Sequence, residues 1–145
     1  MSLAQAEHTQ TAKPTKGGLD ITIRTGSGTG STLLSAFDHA LQQAGVADFN
    51  LVTLSSVIPT GSRIRHVDAT LPGGHGDLLF CVRAEAFAEH PGDTAWAGLG
   101  WCVDDTGGGL FVEHHGESEA AVIEQMAKVS QPGCGSCAPD LGIST

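Results

Sequence analysis

Residues 49–59 read FNLVTLSSVIP, and the fold class turns on how this stretch is built. Its first six residues are mostly apolar or β-branched and have the length of a strand. Two serines follow, then Val57 and Ile58, and Pro59, which fixes its own φ and brings no N–H to a ladder, marks a turn. Upstream, DITIRT over 20–25 alternates apolar and polar residues like a half-buried strand, and GSGTGS over 26–31 supplies turn chemistry and a helix cap. From Thr32 the residues Leu33, Leu34, Phe37, Ala40, Leu41 and Ala44 recur at threes and fours, with Gly45 placed to end the helix. Downstream, LLFCV over 78–82, AWAGLGWCV over 95–103 and GLFVE over 109–113 are predicted strands, separated by Pro91-Gly92 and by the loop over 104–108. Ser118 is placed to cap a last helix over 119–129, whose residues Val122, Ile123, Met126 and Val129 form one apolar face. The order is mixed α and β, rich in strand and without an internal repeat.

With 145 residues there is room for one compact domain. The expected organisation is a flexible N-terminal arm over 1–18, a single domain over 19–131 and a flexible, cysteine-containing tail over 132–145. Hydrophobic residues at 40% and charged residues at 16% exclude a highly charged disordered chain. No apolar run approaches the roughly 20 residues of a membrane helix, and the N-terminal residues lack the apolar core of an export signal. A cytoplasmic protein without a membrane partner is therefore expected. Seven basic against sixteen acidic residues give a formal charge of −9, which repels a phosphate backbone and argues against nucleic acid as a partner. The same field favours a cationic small molecule, although plain solubility would select it too.

Cys81 and Cys102 lie in apolar stretches and read as buried free cysteines that behave as small hydrophobes. Cys134 and Cys137 have C-x-x-C spacing, but a structural zinc site needs further ligands nearby, so no metal site is expected and the tail reads as redox-sensitive. GSGTGST over 26–32 lacks the lysine of a phosphate-binding loop, which leaves a flexible turn or a close backbone approach to a ligand. Asp38 stands four residues after Leu34 and three before Leu41, at the margin of the helix's apolar stripe, where a semi-buried carboxylate is expected. Such a group can receive a guanidinium or ammonium, or pair within the chain. Glu113 shares a strand face with Phe111 and is a candidate proton donor. His114 and His115 point to opposite faces of a strand, so they cannot both serve one metal.

Taken as a string, GSTLLSAFD over 30–38, Ala44-Gly45, FNLVTLSSVIP, LPGG over 71–74, PGDT over 91–94, GLFVE and Met126-Ala-Lys128 resemble the pyruvoyl-dependent arginine decarboxylases in order and near their spacing. The resemblance covers residues from about 20 to 130 and implies an α+β fold, the four-layer α/β/β/α sandwich of that family. The family continues after Lys128 with strand and apolar helix. Here the sequence after 128 is short and rich in Gly, Pro and Cys, so the C-terminal part is expected to be shortened, with a sheet edge exposed or covered by a neighbour. Thr60-Gly61 also departs from the family's usual second proline and acidic residue.

The resemblance implies self-cleavage between Ser55 and Ser56. The Ser56 hydroxyl attacks the Ser55 carbonyl, β-elimination releases the upstream chain, and the dehydroalanine left at 56 hydrolyses to a pyruvoyl group and ammonia. That ketone forms a Schiff base with the amino group of a substrate and accepts the electrons left as carbon dioxide departs, the work a bound cofactor does elsewhere. In the roles the family implies, Glu113 protonates the new carbanion and Asn50 positions substrate or polarises the pyruvoyl carbonyl. Asp38 holds the guanidinium of L-arginine, and Leu34 and Leu41 belong to substrate binding with it. The product would be agmatine. Asn50 and Ser56 share strand parity but lie six positions apart, about 20 Å in an extended chain, so one subunit is not expected to complete the site. A homotrimer or dimer of trimers, as the resemblance implies, would share it. The reading from a different class is a non-catalytic, uncut homologue that acts as an oligomeric binding or scaffold protein.

Overall fold

The structure is a computed structural model and describes residues 17–90 and 92–129. Most of the expected arm over 1–18 and all of the tail over 132–145, with Cys134 and Cys137, lie outside the described residues. Among the described residues two helices and seven strands make a mixed α+β arrangement, in the order β1 (Asp20–Ile23), α1 (Leu33–Ala44), β2 (Asn50–Thr53), β3 (Val57–Ile58), β4 (Arg63–His66), β5 (Leu78–Cys81), β6 (Trp96–Val103), β7 (Gly109–Gly116) and α2 (Glu119–Val129).

Helix α1 starts where its caps dictate. The Ser35 N–H donates to Thr32 Oγ1 and the Thr32 N–H donates to Ser35 Oγ, each at 3.1 Å, a reciprocal box that satisfies two groups the helix cannot. Its end is equally local. Gly45 adopts φ 71° and gives its N–H to the Gln42 carbonyl at 2.9 Å, while Val46 closes onto Leu41 at 3.0 Å. The preceding glycine segment is not a free turn. A Cβ on Gly26 would collide with the helix backbone at Ala40 and one on Gly28 with that at Ala36, so alternate glycines let the chain lie against the alanine side of α1. That contact turns the Leu34 and Asp38 stripe outward, and α1 buries no residue fully.

The strands form three small sheets among the described residues. β1 pairs with β4 in parallel, Ile21 against Ile64, and β2 pairs with β5 in parallel, Asn50 against Leu78. β3, β7 and β6 form an antiparallel sheet in that order, with Val57 against Leu110 and Leu99 against Glu113. One face of this sheet meets β1 and β4 in the core, where Ile23, Ile58 and Phe111 are buried and Ile21, Ile64, Leu99, Trp101 and Val103 pack around them. Trp101 meets Phe111 edge-on at 6.3 Å. The other face receives α2, capped by Ser118 Oγ on the Ala121 N–H at 3.2 Å. Val122 and Met126 of α2 seat on β6 because Gly98 has no side chain: a Cβ there would lie 2.5 Å from Val122 Cγ1 and 2.9 Å from Met126 Sδ.

Two expectations need correction, and one strand was missed. Asp38 is exposed rather than semi-buried, because the alanine side of α1, not its leucine stripe, faces the chain. Cys102 is disulfide-bonded rather than free, while Cys81 is a half-buried free thiol. β4 was not foreseen, since RIRH offers only Ile64 as an apolar residue, yet that residue fills the core opposite Ile21. Among the described residues no helix is long and apolar enough to cross a membrane.

Candidate active site

Ser55 and Ser56 occupy the entry to β3, an edge of its sheet. Continuing the β3–β7 register by one residue sets Ser56 against Phe111, and the Phe111 N–H donates to the Ser56 carbonyl at 2.7 Å. Residues directly opposite across a ladder share a face, and so do residues two apart on one strand. Ser56, Phe111 and Glu113 therefore project to one side, and Ser56 Oγ donates to Glu113 Oε1 at 2.5 Å. A hydroxyl bonded this closely to a carboxylate is a charge-assisted pair. Fifty-seven residues separate the two in the chain; pairing of β3 with β7 brings them together. The apolar Phe111 and Leu99 flank Glu113, the first along β7 and the second across on β6.

The carbonyl of Ser55 is also engaged. It accepts the Val57 N–H at 2.8 Å, a three-residue bend centred on Ser56. Among the described residues no non-glycine residue has a positive φ, so the bend is made without left-handed backbone. A second turn follows at once, where Ser62 gives Pro59 O both its Oγ–H at 2.6 Å and its N–H at 3.2 Å, with Gly61 at φ 78°. This turn is tied to the β6–β7 hairpin by the Gly61 N–H on the Thr106 carbonyl at 2.9 Å. The hairpin is itself held by Asp104, whose Oδ1 accepts from the Thr106 N–H at 2.8 Å and its hydroxyl at 2.5 Å, bonds that lower the carboxyl's pKa. Pro59 through Ser62 thus stand between two anchored segments.

The remaining candidates lie elsewhere on the chain. Asn50 is exposed at the start of β2, its Nδ2 given to the Gly76 carbonyl at 2.6 Å and its N–H to Asp77 O at 2.8 Å. Asp38 Oδ2 accepts Gln42 Nε2 at 2.6 Å. Leu34 is 77% exposed, and Leu41 is half-buried. Beside Asp38, Leu33, Leu34, Phe37 and Phe87 line a shallow depression of about 280 Å³. Phe37 meets Phe87 at 5.8 Å and carries the Arg83 guanidinium 5.4 Å from its ring centre. The structure thus joins Ser56 to Glu113 directly, while the side chains of Asn50 and Asp38 hydrogen-bond to Gly76 and Gln42. Gln42 and Gly76 were not foreseen; an amide one turn after an aspartate was the signal for the first, and the second is a backbone carbonyl with no sequence signature. Burial pushes the Cys81 thiol up, which makes it a weak nucleophile at neutral pH.

The α+β chain thus offers a serine hydroxyl to a carboxylate at a Ser–Ser step on a sheet edge. The sequence profile described as pyruvoyl-dependent arginine decarboxylase matches residues 20–134, and the chain belongs to that family. The pyruvoyl-dependent arginine decarboxylase of Halobacterium salinarum is 41% identical over 95 residues, which is 64% of this chain and 58% of that protein. That of Thermococcus sibiricus is 39% identical over 102 residues, 69% of this chain and 63% of that protein. That of Methanothermobacter thermautotrophicus is 37% identical over 75 residues, 52% of this chain and 48% of that protein. The chain spans about half to three fifths of the length of these relatives.

Proposed function

We propose that the chain cuts itself between Ser55 and Ser56 and, carrying the pyruvoyl group so formed, decarboxylates L-arginine to agmatine and carbon dioxide. The observation that carries this reading is the 2.5 Å bond from Ser56 Oγ to Glu113 Oε1. Glu113 takes the hydroxyl proton as Oγ bonds to the Ser55 carbonyl carbon. Charge that develops on the Ser55 oxygen meets the Val57 N–H, already 2.8 Å away. The Ser55–Ser56 C–N bond then breaks, the Ser56 nitrogen gains a proton, and the two parts are joined by an ester. Loss of the Ser56 α-proton with rupture of the Cβ–Oγ bond frees residues 1–55 with a new carboxylate. The dehydroalanine at 56 adds water and loses ammonia.

The residues present fit such a group: position 56 is held by the Phe111 N–H on its carbonyl and stands beside a carboxyl. A ketone there supplies an electron sink for decarboxylation of an α-amino acid. Glu113 stays within reach of position 56 and returns a proton to the carbon that has lost carbon dioxide. Asn50, whose Nδ2 is committed to Gly76, keeps Oδ1 for the substrate. Asp38, with Leu34 and Leu41 on the same stripe, receives the guanidinium and the methylenes.

In this reading Asp38 and Ser56 of different subunits meet, in a homotrimer or dimer of trimers. The exposure of Leu34 beside Asp38, and of Val57 and Leu110 on the sheet edge that carries Ser56, supports it. The sheets and helices then take their places in the family's four-layer α/β/β/α sandwich, as one domain over 19–131 acting in the cytoplasm.

The test is release of labelled carbon dioxide from carboxyl-labelled L-arginine by the purified protein. The wild type is expected to release it and Ser56→Ala to release none. A wild type that cuts itself yet leaves arginine intact would refute the substrate.

A further inference from the structure

We propose that Gln42 is a specificity-determining residue that makes the Asp38 site select a guanidinium over an ammonium; the proposal rests on the arginine reading above. Gln42 stands one helical turn after Asp38 on α1 and gives Nε2 to Asp38 Oδ2 at 2.6 Å. The bond fixes the carboxylate, which on an exposed side chain otherwise turns freely about its last torsion. It also occupies one of the two carboxylate oxygens. Because an amide is planar, committing Nε2 to Asp38 holds Oε1 near the same carboxylate as a further acceptor.

Asp38 and Gln42 together thus present several acceptor lone pairs with a single negative charge. A guanidinium carries five N–H donors in a rigid fork and uses such an array, whereas an ammonium is a point charge that the carboxylate alone satisfies. Leu34 and Leu41 serve methylenes that both kinds of substrate possess, so they do not separate them. Two other polar residues of the helix are committed elsewhere: His39 Nδ1 accepts the Thr29 N–H at 3.3 Å, and Ser35 belongs to the capping box.

A Gln and Asp one turn apart also steady a helix slightly, so the experiment separates the two roles. Wild type, Gln42→Leu and Gln42→Asn are purified as full chains and followed until self-cleavage is complete, which reports an intact fold. Leucine keeps the helix propensity and removes the amide; asparagine keeps the amide but withdraws it by one methylene. KM and kcat are measured for L-arginine, with Ki for 4-guanidinobutylamine and 1,5-diaminopentane as competitive inhibitors. Both variants are expected to raise KM for arginine and Ki for the guanidine about tenfold, the size of a hydrogen bond to a charged group. The expected kcat and Ki for the diamine stay within twofold of wild type. Equal changes for guanidine and diamine, a loss in kcat alone, or no change would overturn the proposal and leave the arginine reading standing. A wild type that cuts itself but does not turn over arginine overturns both.

Discussion

Ser56 and Glu113 meet because two strands of opposite direction put residues of one parity on one face, and that relation was already present in the sequence. Glu113 was read as sharing a face with Phe111, and the serine needed only the β3–β7 register to come within 2.5 Å. In the proposed reading the bond gives Glu113 a task before any substrate arrives. Glu113→Gln keeps the size and a hydrogen bond but cannot accept the serine proton, so self-cleavage is expected to slow by about 10²-fold or more. Cleavage time courses on denaturing gels measure this, and a rate within threefold of wild type would contradict the role of base. Asp38 was less legible. The spacing of Leu34, Asp38 and Leu41 defines a stripe, but spacing cannot say which side of a helix is covered. Gly26 and Gly28, which read as turn residues, settled that by packing against Ala40 and Ala36 and leaving Asp38 outside.

At the scale of elements, Gly45 after Ala44 and Ser118 before Glu119 were legible because caps are local, whereas the cap of α1, expected within 26–31, is Thr32 with Ser35. Strands depended on partners. β7 runs to Gly116, beyond the predicted Glu113, because β6 is long enough to pair with all of it, Trp96 against Gly116. β4 exists through its pairing with β1, a partner more than forty residues away in sequence. Helix α2 sits on β6 through an absence of side chain at Gly98, where a Cβ would lie 2.5 Å from Val122 Cγ1. Gly98→Ala is therefore expected to destabilise the fold by about 1–3 kcal/mol through overpacking. Adding Val122→Ala, which destabilises by itself, should give a double variant less destabilised than the two single changes sum to. Chemical unfolding of the four proteins decides it, and strict additivity would mean that helix and strand do not meet there.

For the whole molecule, the surface is as informative as the core. Leu34 at 77%, Phe80 at 60%, Val57 at 61% and Leu110 at 53% exposure leave large apolar side chains uncovered on a chain whose buried core is small. Val57 and Leu110 are register partners on the same edge of the sheet as Ser56 but on its opposite face, so an assembly that covers them packs against the edge strand that carries the cleavage site. Light scattering is expected to give three or six times the 14.8 kDa of the chain, and Leu110→Asp to lower that mass. A wild-type monomer with full activity would contradict a shared site. Every strand but β4 could be anticipated along the chain, but this surface could not, since exposure is fixed only when the sheets and helices divide the apolar residues between them. The most direct test of the central claim is the intact mass of freshly purified protein under denaturing conditions, followed over time. The account predicts two fragments divided between Ser55 and Ser56, the downstream one lighter by one ammonia than hydrolysis alone would leave it and reactive with hydroxylamine. A single uncut chain that persists through prolonged incubation and never reacts with hydroxylamine would contradict it.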